Sequence, residues 1–278
     1  MKPCVVVQTD FGLGGGGVMH GTIKMVDPEL QVFDANHQVE KFNVRMAARS
    51  LNHLVPYWPE GTIFISVVDP GVGTSRRASV AKLKNGSYVV SPDNGSFTTL
   101  LDNPGIEAIR EIDETVNRLK GTEKVSIFHG RDLFAYCAAR LASGIIDFEG
   151  VGKEYPVEEI IRYEEYGYEI EEGKATGIST DMMRTFGNLE SSIPIEAFEQ
   201  AGFKVGEEIG VSIYHNEDCV FFKKIAYQPS FGWVKEGEEV VYNSSDGVIG
   251  VGINLGDFIR KHNIGFGKEW TIVFEKEK

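Results

Sequence analysis

The sequence predicts an α/β N-terminal domain with a mostly parallel sheet, followed by a smaller all-β, barrel-like C-terminal domain. The first half alternates continuous apolar, β-branched runs with helical patterns, which is typical of a sheet covered by helices. The last third contains short strand-like runs between turn residues, which is typical of a small barrel or sandwich. A stretch between them is dense in Glu and Tyr and has no clear core pattern. We therefore predict domains at 1–150 and 174–278 with a linker at 151–173.

The N-terminal elements follow from apolar patterning and from helix-capping residues. Asn43 and Asp132 are predicted to begin helices, a third helix is predicted around Val18–Val26, and Asn85-Gly86 predicts a β-hairpin. Strands are predicted at Cys4–Gln8, Leu30–Phe33, Ile63–Val68, Ser79–Leu83, Ser87–Ser91, Ile106–Ile112 and Val125–Phe128.

The C-terminal elements are shorter and are separated by turn residues. Helices are predicted near Ile195–Ala201 and Asp257–Lys261. Strands are predicted at Thr176–Ser179, Ile209–Tyr214, Cys219–Ile225, Glu239–Tyr242, Val248–Ile253 and Trp270–Phe274.

Composition narrows the class of protein. The 278 residues are 42% hydrophobic and 25% charged, values that are ordinary for a globular chain with two cores. The formal net charge of −13, without a basic stripe, argues against nucleic-acid binding, and no apolar run has membrane-spanning length. Cys4, Cys137 and Cys219 are far apart, so we expect neither a disulfide framework nor a metal site. The N-terminus leads straight into a predicted strand, and we expect no signal peptide and a cytoplasmic protein.

A polar turn follows the apolar run Ile63–Val68. Asp69 ends this run, Pro70 stops the strand, and Arg76 comes seven residues after the aspartate, beyond two glycines. A carboxylate at the carboxyl end of a buried strand is where open α/β sheets place their chemistry. The alternative is a strand-end turn with an exposed ion pair.

Three further turns share this design. Thr9–Gly12, Pro92–Gly95 and Phe128–Asp132 each join an apolar approach to a titratable residue and a glycine. Four polar strand ends in one half of the chain predict one shared cleft.

Five motifs, in order along the chain, carry a resemblance to a known family. They are TDFG at Thr9–Gly12, VVDPGVGTSR at Val67–Arg76, PDNG at Pro92–Gly95, FHGRD at Phe128–Asp132 and FGN at Phe186–Asn188. Together they resemble the S-adenosylmethionine (SAM) hydrolases, also called SAM hydroxide adenosyltransferases, which are related to the fluorinase and chlorinase. The resemblance implies an N-terminal α/β domain, a C-terminal β-barrel and a homotrimer with sites between subunits.

The implied reaction is attack of water or hydroxide on ribose C5′ of SAM, giving adenosine and L-methionine. The sulfonium is already a good leaving group, so the site needs only to place and activate one water, and no cofactor is expected. The resemblance assigns this task to Asp69, Arg76 and His129. Asp69 would orient the water or take its proton, Arg76 would fix the carboxylate, and His129 would hold the water. By itself, His129 could equally be a strand-end histidine with satisfied hydrogen bonds.

The resemblance also implies substrate contacts. Asp10 matches the acid that binds the ribose diol, although a simple strand-end cap is the alternative. The other matching residues are Phe42 at the ribose, Phe186 and Asn188 at the adenine, Ser245 at the methionine end, and Asn254 on the adenine-side strand.

Three positions depart from the family pattern on the methionine side. The loop Gly14–Gly17 lacks an expected acid, Asp246 stands where the fluorinase has an arginine, and Met183 occupies an expected aspartate position, with Asp181 two residues away. Two alternatives therefore stay open: a SAM-dependent, halogenase-like enzyme, and a nucleoside-binding protein with weak turnover. Asp69 favours hydroxide over halide, because the fluorinase has an aromatic residue there.

Overall fold

The computed structural model describes residues 2–183 and 186–276, without the side chains of residues 181–183. It divides into two compact units between Tyr163 and Glu164, inside the segment predicted as the linker. The predicted domain bounds themselves stay a prediction. None of the described helices is long and apolar enough to cross a lipid bilayer.

The first unit is built on one seven-stranded sheet with the order β2-β1-β3-β5-β4-β6-β7. The four strands β2-β1-β3-β5 run parallel, and the others pair antiparallel. The strands are β1 (Val5–Thr9), β2 (Val32–Asn36), β3 (Ile63–Val67), β4 (Ala78–Leu83), β5 (Tyr88–Pro92), β6 (Ile106–Glu111) and β7 (Glu154–Tyr155). The helices are α1 (Gly17–Val26), α2 (Val44–Leu54), α3 (Glu114–Asn117) and α4 (Tyr136–Ala142). A π-helical turn, Gly130–Ala135, leads directly into α4, and 3-10 turns lie at Val55–Tyr57, Thr98–Leu101, Glu149–Val151 and Val157–Glu159.

The parallel strands β1, β3 and β5 are buried on both faces, which explains their continuous apolar runs, whereas the edge strand β2 is partly exposed. Val5 and Val7 pack with Ile23 of α1 in one cluster, whereas Val6 packs with Leu51 of α2 in another. The predicted α/β class is therefore confirmed. The predicted cap at Asn43 is also confirmed, because its side chain accepts a hydrogen bond from the backbone N–H of Met46 at 2.9 Å.

Three local predictions in this unit were wrong. The segment Val125–Phe128 is an irregular loop rather than a strand, and Ile127 is 80% exposed, so this apolar run is not buried. Asp132 lies inside the π-helical turn rather than capping a helix. The second strand begins at Val32 rather than Leu30, because Leu30 enters the core just before the sheet pairing starts.

The second unit is a seven-stranded barrel. Its strands follow the order β10-β14-β13-β12-β11-β15-β9, and pairing of β9 with β10 closes the ring, while β8 extends it beside β9. Closure removes the unpaired edges that a sandwich would keep. The strands are β8 (Glu169–Glu171), β9 (Lys174–Met183), β10 (Asn188–Pro194), β11 (Glu208–His215), β12 (Asp218–Tyr227), β13 (Glu239–Asn243), β14 (Val248–Ile253) and β15 (Trp270–Glu275). The helices are α5 (Ile195–Gln200) and α6 (Phe258–His262), and a 3-10 turn lies at Phe231–Trp233. The predicted barrel-like class is confirmed, although sequence patterning missed β7, β8 and β10.

Candidate active site

A buried ion pair joins Asp69, directly after β3, to Arg76. The side chains of Asp69 and Arg76 are 5% and 7% exposed. Arg76 Nε lies 2.9 Å from Asp69 Oδ1 and 3.1 Å from Oδ2, and Arg76 Nη2 also donates to Oδ2. This bidentate geometry fixes the orientation of the carboxylate. Because the ion pair is buried, the alternative interpretation, a strand-end turn with an exposed ion pair, is wrong.

Two glycines make this arrangement possible. A Cβ on Gly71 would lie 3.3 Å from Arg76 Cγ, so a side chain would crowd the path of the arginine. Gly73 has φ +76°, and a Cβ there would lie 2.7 Å from the carbonyl oxygen of Ser126. The Asp69 turn therefore packs directly on the loop that leads to His129.

Arg76 also binds His129. Its Nη2 atom lies 3.0 Å from His129 Nδ1. Because a guanidinium can only donate, Nδ1 must accept, so His129 is neutral and carries its proton on Nε2. Burial, followed by the positive charge of Arg76, lowers the pKa of His129 from its usual 6.5. The three predicted catalytic residues thus form one chain of contacts in the order Asp69, Arg76, His129.

The glycine of the FHGRD motif has a steric function. A Cβ on Gly130 would lie 3.2 Å from the ring of Phe11, which stacks edge-on against Phe128 at a centroid distance of 5.7 Å. Gly130 therefore lets an aromatic wall approach the backbone beside His129. Sequence reasoning did not assign Phe11 or Phe128 to the site, although both lie inside quoted motifs.

Asp10, directly after β1, completes this region. Its Oδ2 atom accepts a hydrogen bond from the backbone N–H of Phe42 at 2.9 Å, and Phe42 has φ +65° and a 69% exposed side chain. One cavity of about 340 Å³ brings together predicted residues of the first unit. Its lining residues are Asp10, Phe11, Lys41, Phe42, Val67, Asp69, Val72, Ile127, Phe128, His129 and Gly130.

The prediction of one shared cleft holds for Asp10, Asp69 and His129 but is wrong for Asp93. Asp93 is fully buried and accepts hydrogen bonds from the Ile161 N–H at 2.9 Å and from the Tyr155 hydroxyl at 3.1 Å. Burial raises the pKa of this carboxyl. The neighbouring Asn94 instead donates to the carbonyl of Val68 at 3.0 Å, so the PDNG turn supports the strand end that carries Asp69.

The predicted residues of the second unit line a cavity of about 870 Å³. Phe186, Asn188, Ser245 and Asn254 all belong to its wall. Asn254 donates to the carbonyl of Val234 at 2.8 Å, so this amide also holds the loop in place. The roles of all nine predicted site residues stay predictions.

Sequence reasoning missed two aromatic residues of this wall, Phe231 and Tyr242, whose ring centroids are 4.6 Å apart. Their signal was the Gly250-x-Gly252 pattern in β14. A Cβ on Gly250 would lie 2.7 Å from the Tyr242 ring, and one on Gly252 would lie 2.7 Å from the Phe231 ring.

The positions that depart from the family pattern are only partly described. The glycine loop forms two tight turns, with Gly15 N–H bonded to the Gly12 carbonyl at 3.0 Å and Gly17 N–H to the Gly14 carbonyl at 3.2 Å. Asp246 is exposed. The side chains of Asp181 and Met183 lie outside the described residues.

Two family models match the chain. The SAM hydroxide adenosyltransferase N-terminal domain matches residues 5–152, and the corresponding C-terminal domain matches residues 181–271. The chain is 34% identical over 266 residues to an (R)-S-adenosyl-L-methionine hydrolase from Thermus thermophilus, covering 92% of this chain and 93% of that protein. It is 26% identical over 292 residues to a fluorinase from Actinopolyspora mzabensis, covering 96% and 95%. The crystal structure of an uncharacterised conserved protein from Thermotoga maritima superposes with a TM-score of 0.85 and 33% identity, over 98% of this chain and 100% of that one.

Proposed function

This chain belongs to the SAM hydroxide adenosyltransferase family, and we propose that the Asp69–Arg76–His129 contact chain is the machinery with which it hydrolyses S-adenosyl-L-methionine to adenosine and L-methionine. It is an enzyme that acts on a small molecule. The contact chain is the observation that carries the proposal, because it supplies a fixed carboxylate and a neutral imidazole at the wall of one cavity.

The chemistry requires one water molecule in line with the C5′–S bond. Asp69 accepts a hydrogen bond from this water and thereby raises the electron density on the water oxygen. The oxygen forms a bond to C5′, the C5′–S bond breaks, and its electron pair stays on sulfur as the neutral thioether of methionine. One proton of the water is released, by way of Asp69, to solvent.

Arg76 and His129 keep this arrangement in place. Arg76 holds the carboxylate with two nitrogens, so little reorganisation is needed when charge moves during the reaction. His129 accepts from Arg76 through Nδ1, which leaves its Nε2–H free to orient the nucleophilic oxygen. No cofactor is needed in this scheme, because the positively charged sulfur is its own activated leaving group.

Recognition of the nucleoside is assigned to both cavities. One oxygen of Asp10 is oriented by the Phe42 N–H, and the carboxylate can accept from the ribose hydroxyls. The aromatic cavity of the second unit suits a purine, with the Asn188 amide able to donate and accept at a base edge.

We further propose a cytoplasmic homotrimer with sites between subunits. Exposed apolar side chains at and near the first cavity support association with another chain, since Leu13, Phe42 and Ile127 are 87%, 69% and 80% exposed. Such a rim is typical of a surface that another chain covers. Light scattering tests the assembly: a monomeric mass in a fully active preparation would contradict it.

The test of the reaction is incubation with SAM and chromatographic detection of adenosine and L-methionine in equal amounts. The same incubation with chloride or fluoride checks for a 5′-halo nucleoside, which would place the chain among the halogenases. Tight adenosine binding without product formation would instead identify a nucleoside-binding protein.

A further inference from the structure

His37, just beyond the end of β2, contacts the turn that carries Asp10. Its Nδ1 atom lies 2.8 Å from Thr9 Oγ1, and Thr9 Oγ1 also accepts a hydrogen bond from the Phe11 N–H at 3.2 Å. The His37 carbonyl accepts from the Gly12 N–H at 2.8 Å. One residue therefore holds both sides of the turn, because Asp10 lies between these two attachment points.

A third residue, Asp34, holds the other nitrogen of this imidazole ring. His37 Nε2 lies 2.7 Å from Asp34 Oδ1. Burial acts to raise the pKa of Asp34, but the hydrogen bond from His37 and the electrostatic attraction of the two neighbouring histidines outweigh burial and lower the pKa. The carboxylate can only accept, so Nε2 carries a proton, and because a hydroxyl can both donate and accept, Thr9 can bond to Nδ1 in either form of the ring.

The surroundings leave this histidine little freedom. The His37 side chain is 10% exposed and Thr9 is fully buried. A Cβ on Gly16 would lie 2.5 Å from His37 Nε2 and 3.0 Å from Asp34 Oδ1, so the glycine loop packs closely on the same pair. His20 Nε2 also approaches Asp34 Oδ1, at 2.7 Å.

We propose that His37 is a positioning residue for nucleoside binding, acting through the Thr9 hydroxyl on the turn that carries Asp10. This inference rests on the proposed function, in which Asp10 binds the ribose. His37 lines neither of the two cavities assigned to substrate, so its effect must pass through the turn. It belongs to binding rather than to the water-activating contact chain, which lies on other loops.

Two isosteric substitutions separate the two contacts of the ring. In His37→Asn the amide oxygen takes the place of Nδ1 and keeps the Thr9 bond, but the contact with Asp34 is lost. In His37→Gln the amide nitrogen takes the place of Nε2 and keeps Asp34, but the Thr9 bond is lost. We expect His37→Gln to raise the adenosine dissociation constant and the KM for SAM about tenfold, with kcat little changed. His37→Asn should stay within about threefold of wild type in all three values.

Thr9 provides a second, independent pair. Thr9→Val removes the hydroxyl and should reproduce the His37→Gln result, whereas Thr9→Ser should bind like wild type. His215→Gln, at a 43% exposed histidine of the barrel, is the matched control and should change nothing. Thermal melting of every variant identifies any general loss of folding.

The outcomes distinguish this inference from the proposed function. If wild type hydrolyses SAM but His37→Gln and Thr9→Val bind adenosine normally, the inference alone is overturned. Equal impairment of His37→Asn and His37→Gln would also overturn it, because the Thr9 bond would then not be the carrier. If wild type neither binds adenosine nor hydrolyses SAM, the proposed function fails and the inference fails with it.

Discussion

The two cavities of this protein differ in the side chains that line them. Three charged side chains, Asp10, Lys41 and Asp69, lie in the wall of the first cavity, and the buried Asp69 is paired with Arg76. The second is wider and is lined by aromatic rings, amides and hydroxyls. Among its described lining residues the one charged side chain, Asp257, caps α6 by accepting from the Arg260 N–H at 2.8 Å. Fixed charge is suited to activating water, whereas flat apolar walls with neutral hydrogen-bonding groups are suited to recognising a base.

The supporting scaffolds differ in the same sense. The first cavity is formed by turns at the carboxyl ends of β1 and β3 and by the loop that carries His129, where glycines let loops pack on each other. The second is formed on a closed barrel, where glycines in β14 make room for rings. If the first cavity activates water and the second recognises the base, some substitutions in the first cavity should lower the rate and others should weaken binding. Substitutions in the second cavity should change binding alone.

The largest effect is expected from Asp69→Asn. The substitution removes the carboxylate that orients the water, and hydrolysis should fall about 10²- to 10⁴-fold. Adenosine affinity, measured by calorimetry, should stay close to wild type, because Asp69 acts on the water. Since Arg76 loses an ionic partner, thermal melting is the necessary control. Near-normal turnover would contradict the assignment of Asp69.

Asp10→Ala is expected to weaken binding within the same cavity. A charge-assisted contact to the ribose diol contributes roughly 1.5–3 kcal/mol, so adenosine affinity should fall by about one to two orders of magnitude. The value of kcat at saturating SAM should change far less. Adenosine affinity equal to that of wild type would show that Asp10 is a structural cap.

The rate should also depend on the protonation of His129. The pKa of His129 is lowered from 6.5, so the imidazole is neutral at pH 6.5 and becomes protonated only at a lower pH. Protonation removes the acceptor for Arg76, and kcat should then fall about tenfold per pH unit. The pH profile of His129→Asn should lack this limb. A limb centred above 6.5 in the wild type would contradict the geometry.

Asn188→Ala tests the second cavity. Losing one amide contact to the base should cost about 1–1.5 kcal/mol, or about tenfold in adenosine affinity, without lowering kcat. Ser245→Ala, on the same wall, is the matched control and should leave adenosine binding unchanged. A large drop in kcat for Asn188→Ala would break the proposed division between chemistry and recognition.

The smallest effect concerns the methionine half of the substrate. Because Gly14–Gly17 supplies no side chains, adenosine should bind at least as tightly as SAM when both are measured on the Asp69→Asn background. A tenfold preference for SAM, about 1.4 kcal/mol, would mean that a pocket for the amino-acid tail exists elsewhere.

The amino-acid sequence by itself determined the parts of this protein that depend on near neighbours. The two-sided burial of β1 and β3, the Asn43 cap and the glycines of the Asp69 turn are all visible in short windows of sequence. Such features are local, because propensity, capping and positive φ act over a few residues. The choice of candidate residues also came from the sequence: six of the nine lie inside the five contiguous motifs, and Phe42, Ser245 and Asn254 were assigned from the family resemblance.

Only the tertiary structure decided how distant segments meet. Arg76 joins Asp69 to His129. His129 lies 53 residues after Arg76, and no local pattern predicts the hydrogen bond between these two side chains. Asp93 has the same local signature as Asp69, yet Tyr155 and the Ile161 backbone enclose it away from the cavity. The run Val125–Phe128 is apolar enough for a strand but finds no neighbouring strand to pair with among the described residues. The barrel is closed by the pairing of β9 with β10, and β10 itself was not predicted. In each case the deciding energy comes from contacts between residues far apart in sequence, which local patterning cannot register.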